Sequence, residues 1–132
     1  MKITSIKENS DFKRTYYRGK SVVKKRIVLY YRKNKFSFNR LGLTVSPKVG
    51  KAVVRNHVKR ILKENYRLFP IEEKGYDIVI VARKSAAFSG FYEIRNDMES
   101  ALFESGLMKK EWAWSEIFWF LLLSCTENIF LH

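Results

Sequence analysis

The chain has 132 residues, of which 46% are hydrophobic and 30% are charged, and it carries a formal net charge of +13. This length suits one domain with one core, and the hydrophobic fraction excludes a disordered chain. The single cysteine, Cys125, excludes an intrachain disulfide and a metal site built from several cysteines.

The positive charge is concentrated in the first half of the chain. Residues 1–67 contain 20 Lys and Arg against 3 Asp and Glu, whereas residues 68–132 contain 6 against 10. This asymmetry indicates one surface that faces a polyanion, either a nucleic acid or an anionic membrane. The opening stretch "MKITSIKENSDF" lacks the apolar core of a signal peptide. We therefore expect a cytoplasmic protein without stable membrane association.

In chain order, the first predicted element is a helix within "ENSDFKRTYYRGK", capped by Asn9 or Ser10 and ended by Gly19. "RIVLYYR" and "RLGLTVS" are rich in β-branched and aromatic residues and predict two strands. The polar stretch "KNKFSFN" forms the loop between them, and residues 20–26 are a candidate for a further strand.

A basic helix is predicted after the break made by Pro47 and Gly50. It ends near Phe69, because Pro70 disfavours helical backbone at the residue before it. Its apolar positions recur at helical spacing and form one stripe. The stripe consists of Val54, Val58, Ile61 or Leu62, and Leu68.

"YDIVIVARK" is almost wholly apolar, which predicts a central strand covered on both faces. "SGFYEIRNDMESALFESG" predicts a last helix, with Ser89 as its cap and Gly106 as its stop. The inward residues of this helix are Phe91, Met98, Ala101 and Leu102. The order of elements predicts an α+β fold, in which helices pack on a small, mainly antiparallel sheet. This single domain is expected to span residues 1–110.

Residues 111–132 form an apolar extension, "EWAWSEIFWFLLLSCTENIFLH". Its uninterrupted apolar run, 117–123, is far shorter than the roughly 20 residues that span a bilayer. A membrane-surface anchor, additional core packing and a dimer contact are each compatible with this composition. We favour a fourth interpretation, a sequence extension such as a shifted reading frame, without a designed role.

The basic helix carries the main functional signal. Arg55, Lys59 and Lys63 recur every four residues and repel one another, so helix stability alone does not explain them. A solvated charged face is the alternative, but the bias to one sign favours a polyphosphate partner, which gains from counterion release. The residues expected to contact RNA are Lys48, Lys51, Arg55, Asn56, His57, Lys59, Arg60, Lys63 and Arg67.

A second signal is the mixture of aromatic and cationic residues near the N-terminus. Phe12 and Tyr16, with Tyr30 or Tyr31, lie among cations such as Lys13, as a groove for single-stranded nucleic acid requires. Tyr30 and Tyr31 point to opposite sides of a strand, so only one can line the groove. Phe12 could instead belong to the hydrophobic core.

The sequence predicts no catalytic side chains and no protein metal site. His57 and His132 lie far apart and show no metal-ligand spacing. His57 could act as a general acid or base, but among cations it is expected to contact phosphate or to be a spacer.

With these residues identified, the chain resembles the protein subunit of bacterial ribonuclease P. The stretch "GLTVSPKVGKAVVRNHVKRILKENYR" is similar to that family's signature strand and basic helix. Supporting similarities are "DFKRTYYRGKS", "VLYY" and "YDIVIVARKSA". The resemblance implies an endoribonuclease in which a large catalytic RNA removes the 5′ leader from precursor tRNA. It also implies Mg²⁺ held by the RNA and substrate, with the protein aiding substrate binding and metal affinity.

The resemblance also implies roles for individual residues and gives the partners as ribonuclease P RNA and precursor tRNA, not DNA. It places four residues of the basic helix against the catalytic RNA, because they match positions of the family motif: Arg55, Asn56, Lys59 and Arg60. The resemblance also implies that the basic helix lies in a left-handed βαβ crossover. The expected leader-binding cleft consists of Phe12, Lys13, Tyr16, Arg18, Tyr30 and Arg40.

Two departures from the family pattern occur at His57 and Lys63, where many members have arginine. Neutral His57 removes one cation near pH 7, and Lys63 keeps the charge without the bidentate fork of arginine. Rival interpretations are a ribosome-associated RNA-binding module and a peripheral membrane protein.

Overall fold

The computed structural model describes residues 3–108, in which one five-stranded sheet is covered by helices on both faces. The strands are β1 (Thr4–Ser5), β2 (Lys20–Val23), β3 (Ile27–Lys33), β4 (Arg40–Thr44) and β5 (Tyr76–Ala82). The helices are α1 (Asn9–Arg18), α2 (Ala52–Leu68) and α3 (Phe91–Ser105), with a 3₁₀ helix at Lys84–Phe88. The predicted α+β architecture is confirmed. The prediction for residues 111–132 lies outside the described residues.

The sheet is mixed, with the strand order β1-β4-β5-β3-β2. The β2–β3 and β3–β5 pairs are antiparallel, and together they join more residues than the parallel β1–β4 and β4–β5 pairs do together. β5 is the central strand, as its apolar run predicts, and Ile78, Val79 and Ile80 are buried. The basic helix α2 connects the neighbouring parallel strands β4 and β5 as a βαβ crossover. The left-handed sense that the resemblance implies stays a prediction.

Side-chain alternation along the strands gives the sheet two different faces. One face carries Leu29, Leu41 and Ile80, which pack with residues of α2 and α3 into one hydrophobic core. The opposite face carries Gly42 and Thr44 and is partly covered by α1. The sheet therefore separates the main core from the surface on which α1 lies.

The helix caps differ from the sequence predictions by one residue. Glu8 and Gly90 are the N-caps of α1 and α3, so Asn9 and Ser10 lie inside α1. The hydroxyl of Ser89 does not cap α3; it accepts from Nε of Arg26 at 2.8 Å and donates to the Ser85 carbonyl at 2.7 Å. Gly106 ends α3 in the left-handed conformation, as predicted.

The apolar stripe of α2 was predicted wrongly at its C-terminal end. Leu68 is 58% exposed, whereas the neighbouring Asn65 and Tyr66 are buried. The chain leaves helical geometry at Phe69, whose ring takes the buried position instead. Sequence reasoning also missed β1 and the 3₁₀ helix, because two-residue strands and single turns leave no periodic signal.

Packing of α1 against the sheet predicts a strict requirement for glycine at position 42. A Cβ atom at Gly42 would lie 2.5 Å from Cε1 of Phe12. We therefore expect Gly42→Ala to lower the free energy of unfolding by about 1–3 kcal/mol through overpacking, measured by urea denaturation. The control is Gly90→Ala, whose added methyl would meet no atom within 4 Å. Equal losses in the two variants would contradict this account.

Candidate nucleic-acid interface

The outer face of α2 presents the predicted RNA-contacting residues to solvent. Eight of the nine are exposed, and only Arg55 is half-buried. None of the nine makes an ion pair or a side-chain hydrogen bond with any residue between positions 3 and 108. Glu64 is the only carboxylate in the helix. The face therefore carries uncompensated positive charge.

Several cations elsewhere in the fold are paired with carboxylates. Arg26 contacts both Glu93 and Asp97 of α3, at 3.0 and 3.3 Å, and Lys24 pairs with Glu104. These pairs fasten the β2–β3 turn to α3. The cations of α2 differ from these, because none of them pairs with a carboxylate between positions 3 and 108.

A cleft of about 400 Å³ lies between α1, the end of β4 and α2. It brings three residues of the predicted leader cleft, Phe12, Lys13 and Tyr16, to the same site as Lys59 of the basic helix. The remaining lining residues are Asn9, Leu43, Thr44 and Val45. The two predicted surfaces, aromatic and basic, therefore meet at one place.

Tyr16 is fixed in this cleft by contacts on two strands. Its hydroxyl shares a hydrogen bond of 2.6 Å with the hydroxyl of Thr44. Its ring packs edge-on against Tyr30 at 5.0 Å between centroids, and Phe12 lies 6.5 Å away. Tyr31 lies on the opposite face of the sheet against Tyr76. As alternation predicts, only one of the paired tyrosines is on the side of α1.

Arg40, another residue predicted for the cleft, is engaged in a partly buried ion-pair network. Its Nε and Nη2 donate to the two carboxylate oxygens of Asp77, at 2.8 and 2.7 Å, and its Nη1 donates to Asp11 at 3.3 Å. The hydrogen bond to Asp77 raises the pKa of Arg40 above its ordinary value. Arg40 thus fastens α1 to the sheet. Arg18 is exposed at the C-terminal end of α1 and does not line the cleft.

Sequence reasoning missed the four cleft residues that carry no charge and no aromatic ring: Asn9, Leu43, Thr44 and Val45. A signal for Thr44 was available, because strand alternation places it on the same side as Arg40 and Gly42. The docking position of α1, which decides the other three, depends on tertiary contacts that local patterns do not reveal.

Residues 3–108 contain no group of three or more His, Cys, Asp or Glu side chains close enough to bind a metal ion. The donor set of the α2 face does not fit Mg²⁺, which prefers carboxylate oxygens. No helix within the same span combines the length and the apolar character needed to cross a bilayer.

Together, the mixed sheet, the basic helix in a crossover and the aromatic cleft define a small α+β protein that presents cations to a polyanion. Residues 1–105 match the family model for ribonuclease P. The ribonuclease P protein component of Thermoanaerobacter sp. (strain X514) is 44% identical over 107 residues, which cover 80% of this chain and 92% of that protein. The Clostridium kluyveri component is 43% identical over 112 residues, covering 83% and 100%.

Solved structures agree with these sequence comparisons. The RNase P protein of Staphylococcus aureus superposes with a TM-score of 0.74 at 36% identity, covering 81% of this chain and 99% of that one. The protein from Thermotoga maritima gives 0.62 at 32% identity, covering 71% and 90%. The chain belongs to the ribonuclease P protein family, the protein component of a tRNA-processing ribonucleoprotein endoribonuclease.

The Arg40 network predicts that substitutions of two arginines near Asp11 differ greatly in their effect on the free energy of unfolding. Arg40→Gln should lower the free energy of unfolding by about 2–4 kcal/mol, because the buried Asp77 carboxylate loses its cation. Arg14 is 58% exposed and lies 3.9 Å from Asp11, so Arg14→Gln should cost less than about 0.5 kcal/mol. Urea denaturation at neutral pH measures both. Similar costs would argue against the network as the anchor of α1.

Proposed function

We propose that the chain holds ribonuclease P RNA on the α2 face and the single-stranded 5′ leader of precursor tRNA in the aromatic cleft. The observation that carries this proposal is the meeting of Lys59 of α2 with Phe12 and Tyr16 of α1 in one cleft. A leader in that cleft would lie directly beside an RNA bound to α2. One small domain can therefore contact enzyme RNA and substrate at the same time.

The α2 face supplies the contact to the catalytic RNA. Its lysines and arginines are uncompensated and, apart from the half-buried Arg55, exposed, so phosphates can approach them without displacing internal carboxylates. Asn56 adds an amide that can donate to phosphate or to a 2′-hydroxyl. Lys48 and Lys51 lie just before the helix, where free backbone N–H groups favour an anion.

The cleft supplies the contact to the leader. Aromatic faces accept any base by stacking, so a cleft of this kind tolerates leaders of different sequence. Tyr16 is held in place by Thr44 and Tyr30, which reduces the side-chain entropy lost on binding. Lys13 is exposed at the rim, where it can neutralise a backbone phosphate.

In this proposal the RNA carries out hydrolysis in the cytoplasm, with Mg²⁺ held by RNA and substrate phosphates. When bound there, Mg²⁺ stabilises the charge that develops on the reacting phosphate. The chain's own cations act on binding. They neutralise phosphates where the two RNAs approach each other, so less Mg²⁺ is needed to screen their repulsion.

The α2 contact is tested by single-turnover cleavage of precursor tRNA with a bacterial ribonuclease P RNA at low Mg²⁺. Wild-type protein should stimulate cleavage. Arg60→Ala should weaken protein–RNA affinity about three- to tenfold and make that affinity less dependent on salt concentration. Lys25→Ala, which removes one charge from the β2–β3 turn, is the control and should behave as wild type. Folded wild-type protein that gave no stimulation would overturn the proposal.

The leader contact is tested by the affinity of the assembled ribonucleoprotein for precursor and mature tRNA. Lys13→Ala should weaken binding of leader-bearing substrate about three- to tenfold and leave binding of mature tRNA unchanged, because only the leader reaches the cleft. A general RNA-binding module would treat the two substrates alike in every variant. That result would remove the leader from the proposal and leave the α2 contact standing.

A further inference from the structure

A second pocket, of about 240 Å³, lies at the other end of α2. Its walls come from the segment containing β1, from the β3–β4 loop, from the end of α2 and from the chain that follows α2. The lining residues are Ile3, Thr4, Ser37, Phe38, Asn39, Tyr66, Arg67, Phe69, Ile71 and Lys74. None of them belongs to the cleft beside α1, so the pocket is a separate site.

The interior of this pocket is apolar and aromatic. Phe69 is buried, and its ring is held by the guanidinium of Arg95 at 4.8 Å. Phe38 stacks on Phe36 with centroids 5.1 Å apart and planes 21° apart. Its ring is 44% exposed in spite of that stacking. Phe38 thus offers the pocket aromatic surface that Phe36 leaves exposed, and the buried Phe69 closes the pocket from within.

One polar group in the pocket has no hydrogen-bond partner among the described residues. Tyr66 is 8% exposed, and its hydroxyl makes no hydrogen bond with any residue from 3 to 108. Burial raises the pKa of Tyr66 to about 12, so the hydroxyl remains protonated at neutral pH and can donate. The hydroxyl is therefore free to bond to the polar edge of a ligand in the pocket.

The rim of the pocket is positively charged. Arg67 and Lys74 both line it, both are exposed, and neither is paired with a carboxylate of the described chain. Arg67 is also the last cation of the α2 face, so the pocket continues the surface proposed to hold RNA. A ligand that is flat, polar at its edge and negatively charged at one end matches these three features.

We propose that this pocket takes one unpaired nucleotide of the RNA that lies on α2. The base packs against the exposed part of Phe38, its edge bonds to the Tyr66 hydroxyl, and its phosphate lies between Arg67 and Lys74. The volume suits a single base, because it is below the range of pockets that hold drug-sized molecules. This inference rests on the proposed function, since it requires RNA on α2.

The test fills the pocket with a side chain and maps the RNA. Ser37→Trp adds an indole at a lining loop residue, and Ser100→Trp adds the same ring on the exposed side of α3 as the control. Affinity for bacterial ribonuclease P RNA and chemical modification of its unpaired bases are measured for each folded variant. We expect Ser37→Trp to bind about tenfold more weakly. It should also restore modification at one base that wild type and Ser100→Trp both protect.

Two results would overturn the inference. The first is that Ser37→Trp and the control Ser100→Trp show the same RNA affinity and the same base protection, while wild-type protein still stimulates leader cleavage. The second combines two observations. Adenosine monophosphate shifts the amide signals of Asn39 and Lys74 in NMR spectra of wild-type protein, and Ser37→Trp protects the same RNA bases as wild type. The pocket would then take free nucleotides. Wild-type protein that failed to bind the RNA at all would instead contradict the proposed function.

Discussion

The ion pair between Arg40 and Asp77 is the contact on which the arrangement of both candidate sites depends. It joins β4 to β5 at their paired ends and extends to Asp11 of α1. Asn34 of the β3–β4 loop donates to the same Asp77 carboxylate at 2.9 Å. The α1 wall of the cleft and the loop wall of the second pocket are therefore fastened to one buried group.

The cations of this protein fall into two groups with different physical roles. Arg26 and Arg40 are half-buried and paired, so they hold elements together through directional hydrogen bonds to carboxylates. The cations of α2 have no such partners, and their mutual repulsion is a cost that only an anionic ligand relieves. The paired arginines therefore stabilise the fold, whereas the unpaired cations of α2 give that helix its surplus of positive charge.

Local patterns in the sequence were sufficient to predict the helices, the three longer strands and the charged face of α2, because each depends on residues close together in the chain. Period-two alternation also separated Tyr30 from Tyr31. The pairing of Arg40 with Asp77 was not predictable, because 37 positions separate them. The same is true of Tyr66, whose burial depends on segments that converge only in the folded chain.

The parallel pairing of β4 and β5 has a consequence for synthesis of the chain. The β2–β3 hairpin needs only neighbouring residues, whereas β4 can pair with β5 only after α2 has been made between them. Before Asp77 is available, Arg40 has no buried carboxylate to hold it, and α1 lacks its attachment to the sheet. A nascent chain can therefore expose its aromatic residues well before it has a cleft, and the binding surface matures only as β5 leaves the ribosome.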